Sequence, residues 1–192
     1  MTFGGYDVNV NVNGMPQKVA TALAGLGEKL VGAEYTPIAY IGTQEVNGIN
    51  HAILAEQLLT TGKDTKNIVL LIFNEKGMDC NLVAIERVVS GGGALGGVNI
   101  EVRTQIPEEA QKAYDAAFEG YVGGDFKPVV YLGTQITNGV NYLFGVECDP
   151  VVKDPHKEFY IISVNKLTGK VAFKQILSDD FDTHPFGYAF NW

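Results

Sequence analysis

An internal repeat is the feature that most constrains the fold of this chain. Residues 37–50 read PIAYIGTQEVNGIN and residues 128–141 read PVVYLGTQITNGVN, with eight of fourteen positions identical at a shift of 91 residues. The shift holds without gaps further along, where residues 68–74 match residues 159–165. Two such copies predict one fold made twice in the 192 residues, and not one fold of that length.

Hydrophobic periodicity predicts the first elements of each copy. Val8, Val10 and Val12 alternate with asparagines, which indicates a half-buried strand. Apolar residues at helical spacing follow, so each copy should contain a helix of about sixteen residues. In the first copy this helix starts near Pro16, has Val19, Leu23, Leu26 and Leu30 on its apolar face, and ends at Gly32. In the second copy it starts near Pro107, has Ala110, Tyr114, Ala117 and Tyr121, and ends at Gly123 and Gly124.

Four strands are predicted after each helix. In the first copy they cover roughly residues 37–46, 49–59, 68–74 and 81–89. The first two are joined by Asn47-Gly48, or Asn138-Gly139 in the second copy, and Asn-Gly favours a type I′ turn with positive φ at both residues. Short connections make an antiparallel meander. The predicted class is therefore α+β, with a β-α-β-β-β-β unit in each copy and the helix packed on the sheet.

The repeat also predicts the domain boundaries. A first domain covers residues 1–90, a glycine-rich linker covers residues 91–97, and a second domain covers residues 98–192. The chain ends in an aromatic tail, residues 178–192, that we expect to pack on the second copy.

Composition excludes several classes of partner. There are 14 basic and 22 acidic side chains, a net charge of −8, which disfavours nucleic acid and anionic membranes. The longest apolar run, residues 68–73, is far shorter than the roughly 20 residues of a membrane-spanning helix. No signal peptide is visible at the start, and Cys80 and Cys148 form no disulfide framework. We therefore expect a cytoplasmic protein with two free thiols.

The order of motifs resembles the cystatins and their intracellular relatives, the stefins. Gly4-Gly5, a strand and a helix precede Gln44-Glu45-Val46-Asn47-Gly48, which is similar to the Gln-x-Val-x-Gly hairpin of that family. The second copy has Gln135-Ile136-Thr137-Asn138-Gly139 at the same place, with Thr137 where the family has valine. Neither copy has the Pro-Trp or Leu-Pro pair that the family often carries in its second hairpin.

The resemblance implies a tandem inhibitor of papain-like cysteine peptidases. In that family the N-terminal glycines and two hairpins form a wedge that fills the peptidase cleft and covers the catalytic thiol. Carried over residue by residue, the peptidase-binding positions of the first copy would be Gly4, Gly5, Gln44, Glu45, Val46, Asn47, Gly48 and Asn74. Those of the second copy would be Gln135, Ile136, Thr137, Asn138, Gly139 and Asn165, with Gly96-Gly97 as the glycine pair. Such a protein would need no cofactor and would be a monomer or a domain-swapped dimer.

Two other interpretations of the same residues stay open. The shared glutamines and Asn-Gly pairs are also explained by turn chemistry that keeps the fold. The chain could equally be a non-inhibitory cystatin-like module that binds or scaffolds another protein.

Catalysis is not expected. His51, His156 and His184 are the three histidines, and neither cysteine is matched by a cysteine in the other copy. No phosphate-binding loop, nucleophile elbow or zinc-ligand spacing is present. Asp179, Asp180 and Asp182 near His184 are more typical of a solvated acidic turn than of a metal site.

Overall fold

Each copy of the repeat forms a five-stranded antiparallel sheet in the computed structural model, which describes residues 5–60, 65–92 and 96–177. Sheet 1 contains, side by side in chain order, β1 Asp7–Asn11, β2 Ala33–Val46, β3 Gly48–Leu59, β4 Thr65–Lys76 and β5 Asp79–Ser90. Sheet 2 has the same order in β6 Val98–Arg103, β7 Gly124–Thr137, β8 Gly139–Pro150, β9 Glu158–Asn165 and β10 Val171–Ile176. The predicted α+β class is confirmed, and the strands are longer than the sequence suggested.

The helices are shorter than predicted. The first copy has α1 Gln17–Ala24 and a single further turn, α2 Leu26–Lys29, separated by Gly25. Glycine costs a helix about 1 kcal/mol relative to alanine, and two glycines lie in this short stretch. The second copy has one helix, α3 Glu108–Phe118, and Gly120 with a φ of 73° turns the chain before Tyr121. The expectation of a sixteen-residue helix in each copy is therefore wrong.

The first hairpin of each copy is tighter than the predicted type I′ turn. Val46 already pairs with Gly48 in sheet 1, as Thr137 pairs with Gly139 in sheet 2. The φ angles of Gly48 and Gly139 are 108° and 97°, and neither preceding asparagine has a positive φ. The type I′ prediction is wrong because the pairing leaves a single residue at each tip.

The central strands are buried on both faces. Alternate residues of β3 and β4 face α1, where Ile53, Leu71 and Phe73 pack against Val19 and Leu23. A matching cluster lies between sheet 2 and α3, built on Phe144, Ile162 and Tyr114. The remaining residues of the run 68–73 point to the opposite face. This double burial explains why that run is continuous instead of alternating.

The opposite faces of the two sheets share one core. Leu54, Leu70 and Ile41 of sheet 1 belong to the same buried cluster as Leu143 and Ile161 of sheet 2. Between the copies the chain passes Gly91, which bridges to Val98. The order of layers is thus helix, sheet, sheet, helix. Within the described ranges no helix is long and apolar enough to cross a membrane.

Candidate functional site

One end of sheet 1 gathers the three segments that the cystatin resemblance singles out. Asp7 pairs with Thr43 in an antiparallel ladder, so the chain before it, including Gly5, runs toward the β2–β3 hairpin. A β-carbon on Gly48 would lie 2.5 Å from the carbonyl oxygen of Glu75, so the hairpin touches the end of β4. We call Gly5, residues 45–48 and residues 76–79 the first tip surface. Gly4 lies outside the described residues.

The first tip surface is exposed and carries apolar side chains. Val46 is 46% exposed and Met78 is 90% exposed, one in each hairpin. Gly5 has no atom within 4 Å of the place that a β-carbon would occupy. A partner could therefore approach the backbone at Gly5 and bury two side chains beside it.

The corresponding end of sheet 2, residues 136–139 and 166–169, is the second tip surface. Its exposed apolar residues are Ile136 and Leu167, each 74% exposed. The glycine pair before β6 differs from Gly5, because Gln135 Nε2 donates a 2.6 Å hydrogen bond to the carbonyl oxygen of Gly96. Gln135 itself is only 3% exposed. The segment at Gly96 is thus fixed against sheet 2 and is not a free end.

Side-chain amides form a ladder across three strands near each tip. In sheet 1, Asn50 donates to Gln44 at 2.9 Å, and Asn74 donates to Asn50 at 2.9 Å. In sheet 2 the corresponding bonds run from Asn141 to Gln135 at 3.3 Å and from Asn165 to Asn141 at 2.7 Å. Four of the predicted peptidase-binding residues, Gln44, Asn74, Gln135 and Asn165, are therefore engaged with the protein's own side chains.

A second polar network lies on the helix side of the first tip. His51 is 4% exposed. The Tyr40 hydroxyl lies 2.8 Å from His51 Nδ1, and His51 Nε2 lies 3.2 Å from Glu75 Oε2. Lys18 of α1 completes the network through a 2.6 Å bond to Glu75 Oε1. Burial, with a further contribution from the Glu75 charge, raises the pKa of Tyr40 to about 12, so this hydroxyl stays protonated near neutral pH.

The second copy replaces the histidine of this network by Tyr142. The Tyr142 hydroxyl donates to Glu109 Oε2 at 3.4 Å, and Lys166 donates to the same oxygen at 2.8 Å. The network thus still joins the helix to the hairpin, without an imidazole.

The cysteines are poorly suited to nucleophilic chemistry. Both are free thiols, as predicted. Burial, followed by the charge of Glu75, raises the pKa of Cys80, and burial raises the pKa of Cys148 to about 11. A nucleophilic cysteine needs the opposite shift. Both ring nitrogens of His51 already contact Tyr40 and Glu75, so neither is directed at the thiol of Cys80.

No group of three or more metal-ligating side chains is found in the ranges that the structure describes. The acidic cluster near His184 and the aromatic tail lie outside those ranges. Comparison with protein-family models, with curated proteins and with solved structures finds no match to this chain. The cystatin resemblance therefore rests on the motifs and their order.

Sequence reasoning missed three features of this region. It did not identify Asn50 and Asn141 as the centres of the amide ladders, although both end the repeated segment. It also did not identify Met78, which lies in the turn between β4 and β5. The 91-residue shift also matches Lys18 with Glu109, a charge reversal that was a visible signal for the ion pairs.

Proposed function

We propose that the first tip surface is a wedge that enters the active-site cleft of a papain-like cysteine peptidase and blocks it. The observation that carries this proposal is the position of Gly5, the β2–β3 hairpin and the β4–β5 turn at one exposed end of sheet 1. These are the three segments that the family resemblance assigns to the wedge. The proposal includes the fold: we infer that the two copies are cystatin-like domains in tandem.

Rigidity of the wedge supports tight binding. The register of β2, β3 and β4 continues to the ends of the strands, where Lys76 pairs with Asp79. The tips are thus largely ordered before a partner arrives, so little conformational entropy is lost on association. Val46 and Met78 would lose exposed apolar surface in the cleft, and buried apolar anchors of this kind dominate many interfaces.

The first copy is the better candidate of the two. Both Gly5 and Gly96 have open space where a β-carbon would lie, but the carbonyl oxygen of Gly96 is bonded to Gln135, and Gly91 just before it in the chain bridges to Val98. All three segments of a wedge are therefore present at the first tip surface. The second tip surface has its two hairpins but lacks a projecting glycine segment. This asymmetry predicts one peptidase molecule bound per chain.

The test is a titration of papain activity with the full chain, its Val46→Asp variant and its Ile136→Asp variant. We expect inhibition by the unmodified chain, at least a tenfold weaker inhibition by Val46→Asp, and unchanged inhibition by Ile136→Asp. The two substitutions place the same charge on exposed hairpin tips, so each controls for the other. Absence of inhibition by the unmodified chain across a panel of papain-like peptidases would refute the proposal.

A second function, a non-inhibitory module that binds or scaffolds another protein, is favoured by the amide ladders. The ladders give Gln44, Asn74, Gln135 and Asn165 a structural role in both copies. Their repetition therefore needs no peptidase to explain it. On this alternative, papain stays fully active. The partner contacts the chain away from the tips, so it binds Val46→Asp and Ile136→Asp as tightly as the unmodified chain.

A further inference from the structure

Strand β1, which carries the glycine segment of the first tip surface into sheet 1, contains an irregularity in its pairing. Val8 lies opposite Gly42 of β2, and the register has shifted by one residue where Asn11 lies opposite Tyr40. Val10 lies inside this shift, outside the register pairs of the two strands. A bulge of this kind bends a strand and takes a residue out of the ladder. The path of β1 is therefore not set by its pairing with β2 alone.

The second copy supplies a hydrogen bond to this bulge. The backbone N–H of Val10 donates to Glu147 Oε2 of β8 at 3.3 Å. Val10 is half-buried against the core that the two sheets share, and Leu143 of β8 belongs to that core. Glu147 follows Leu143 by four residues in regular pairing, so both side chains lie on the same face of sheet 2. Because a half-buried N–H without a partner costs free energy, this bond stabilises the bulge in its observed form.

Glu147 is itself held in place for this contact. Its side chain is only 12% exposed, and Lys157 donates to its other oxygen, Oε1, at 2.6 Å. The same bond is the main reason that the pKa of Lys157 lies above its ordinary value of 10.5, so this lysine stays charged near neutral pH. With one oxygen bonded to Lys157, the carboxylate directs the other to Val10. We call Val10, Glu147 and Lys157 the inter-copy clasp.

The clasp is made in one direction only. In sheet 1 the residues equivalent to Glu147 and Lys157 are Glu56 and Lys66, which form the same ion pair at 2.8 Å. Among the hydrogen bonds of the described residues, none joins Glu56 to β6. The glycine segment of the second copy is held within its own copy, by Gln135. The second copy thus fixes the N-terminal strand of the first, and the first copy does not return the contact.

We propose that Glu147 is a positioning residue of the first tip surface, because through Val10 it fixes the path of β1 and so the place of Gly5 beside the two hairpins. The proposal rests on the wedge function proposed above and gives the second copy a part in it. Gly5 lies five residues before Val10, and β1 has only five residues, so a shift at the bulge moves the segment ahead of it. Loss of the clasp should release this segment and leave both hairpins in place.

Amide hydrogen exchange at Val10, in the full chain, tests the clasp itself. We expect this amide to be protected in the unmodified protein and to exchange about tenfold faster in Glu147→Ala. Glu147→Gln retains a carbonyl oxygen that can accept the N–H and should restore most of the protection. Glu56→Ala removes the equivalent carboxylate of sheet 1, so it is the matched control and should leave exchange at Val10 unchanged.

Amides of β4 report whether the fold is intact, and they should exchange equally slowly in all of these variants. If Glu147→Ala fails to fold, Lys157→Met takes its place. It leaves the carboxylate without its anchor, and we expect exchange at Val10 to be about threefold faster.

Inhibition of papain by the same variants tests the positioning role. We expect Glu147→Ala to inhibit about fivefold more weakly than the unmodified chain, Glu147→Gln to recover most of the loss, and Glu56→Ala to inhibit fully. Unchanged exchange at Val10 in Glu147→Ala would overturn the clasp, whether or not papain is inhibited. Faster exchange with unchanged inhibition would overturn the positioning role alone. If the unmodified chain leaves papain active while Val10 loses protection in Glu147→Ala, the wedge function and the positioning role both fail and the clasp stands.

Discussion

Lys18 of α1 and Glu75 at the end of β4 form a 2.6 Å ion pair, and the second copy contains the same pair with the charges exchanged. There Glu109 of α3 takes the place of Lys18, and Lys166 takes the place of Glu75, at 2.8 Å. Both pairs tie the helix to the second hairpin of their own copy. Because the exchange preserves attraction, both copies keep an ion pair between helix and hairpin. Which of the two residues carries the positive charge differs between them.

Reversing Lys18 to Glu should destabilise the first copy, and adding Glu75→Lys should largely restore its stability. The single change places two carboxylates together, whereas the double change reproduces the arrangement of the second copy. We expect the single variant to lower Tm by a few degrees, because Lys18 is half exposed and solvent weakens the pair. Thermal denaturation of both singles and the double gives the coupling, and a double variant less stable than either single would contradict the prediction.

The two ion pairs should make stability depend on acid pH. The hydrogen bond from Lys18 holds the pKa of Glu75 below its ordinary value of 4.5, and Lys166 does the same for Glu109. A carboxyl with a lowered folded-state pKa stabilises the fold fully above the unfolded-state value, and this contribution is lost as the pH falls through the folded-state pKa. Urea denaturation midpoints of the unmodified chain should therefore fall below pH 4.5 more steeply than those of Glu75→Gln/Glu109→Gln. Equal slopes would contradict this.

The amide ladders should contribute measurably to stability. Asn141 is 5% exposed and bonds to both Gln135 and Asn165, so Asn141→Ala removes one hydrogen bond from each of these two amides. We expect a loss of about 2 kcal/mol in the free energy of unfolding. Asn81→Ala on the exposed side of β5 is the control and should stay within about 0.5 kcal/mol of the unmodified chain. A loss from Asn141→Ala as small as that expected of the control, measured by urea denaturation, would show that the ladder is energetically neutral.

Two glycines of the first tip surface should respond differently to alanine. Gly48 has a φ of 108°, and an added β-carbon would lie 2.5 Å from the Glu75 carbonyl oxygen, so Gly48→Ala should cost about 2 kcal/mol. Gly5 has open space, and Gly5→Ala should leave the free energy of unfolding unchanged. Chemical denaturation of the two variants measures the difference. A stable Gly48→Ala protein would show that the hairpin and the end of β4 separate easily.

The shared core should make both copies unfold together. Leu54 and Leu143 are fully buried in the same cluster, one from each sheet. We expect Leu54→Ala and Leu143→Ala each to cost about 2–5 kcal/mol and to lower the midpoint of a single calorimetric transition. Two transitions, with each variant lowering a different one, would show instead that the copies are energetically independent.

The sequence was sufficient to predict the repeated α+β unit because hydrophobic period and turn residues are local signals. The alternation at Val8, Val10 and Val12 and the Asn-Gly pairs placed the strands within a few residues. The helix ends were misplaced because the apolar spacing continues through Leu26 and Leu30, while Gly25 and Gly27 interrupt the helix locally.

The site was only partly predictable for a different reason. Exposure of Val46 follows from its place at a hairpin tip, but the burial of Gln135 depends on the path of residues far away in sequence. Likewise, the apolar run 68–73 does not by itself reveal that one of its two faces is covered by the other copy.

The layer in which the sheets meet makes this chain a covalent pseudo-dimer. A single copy bearing the same apolar face would need another molecule to cover it, and its stability would then rise with protein concentration. Joining two copies removes that dependence, since the two faces associate at an effective concentration fixed by the short linker. In a single chain with two different copies, the tips and edges of the two sheets also need not be identical. The two tips and the two lateral edges could diverge, one tip holding its glycine segment through Gln135 and one edge keeping a regular strand, while the faces between them stayed complementary.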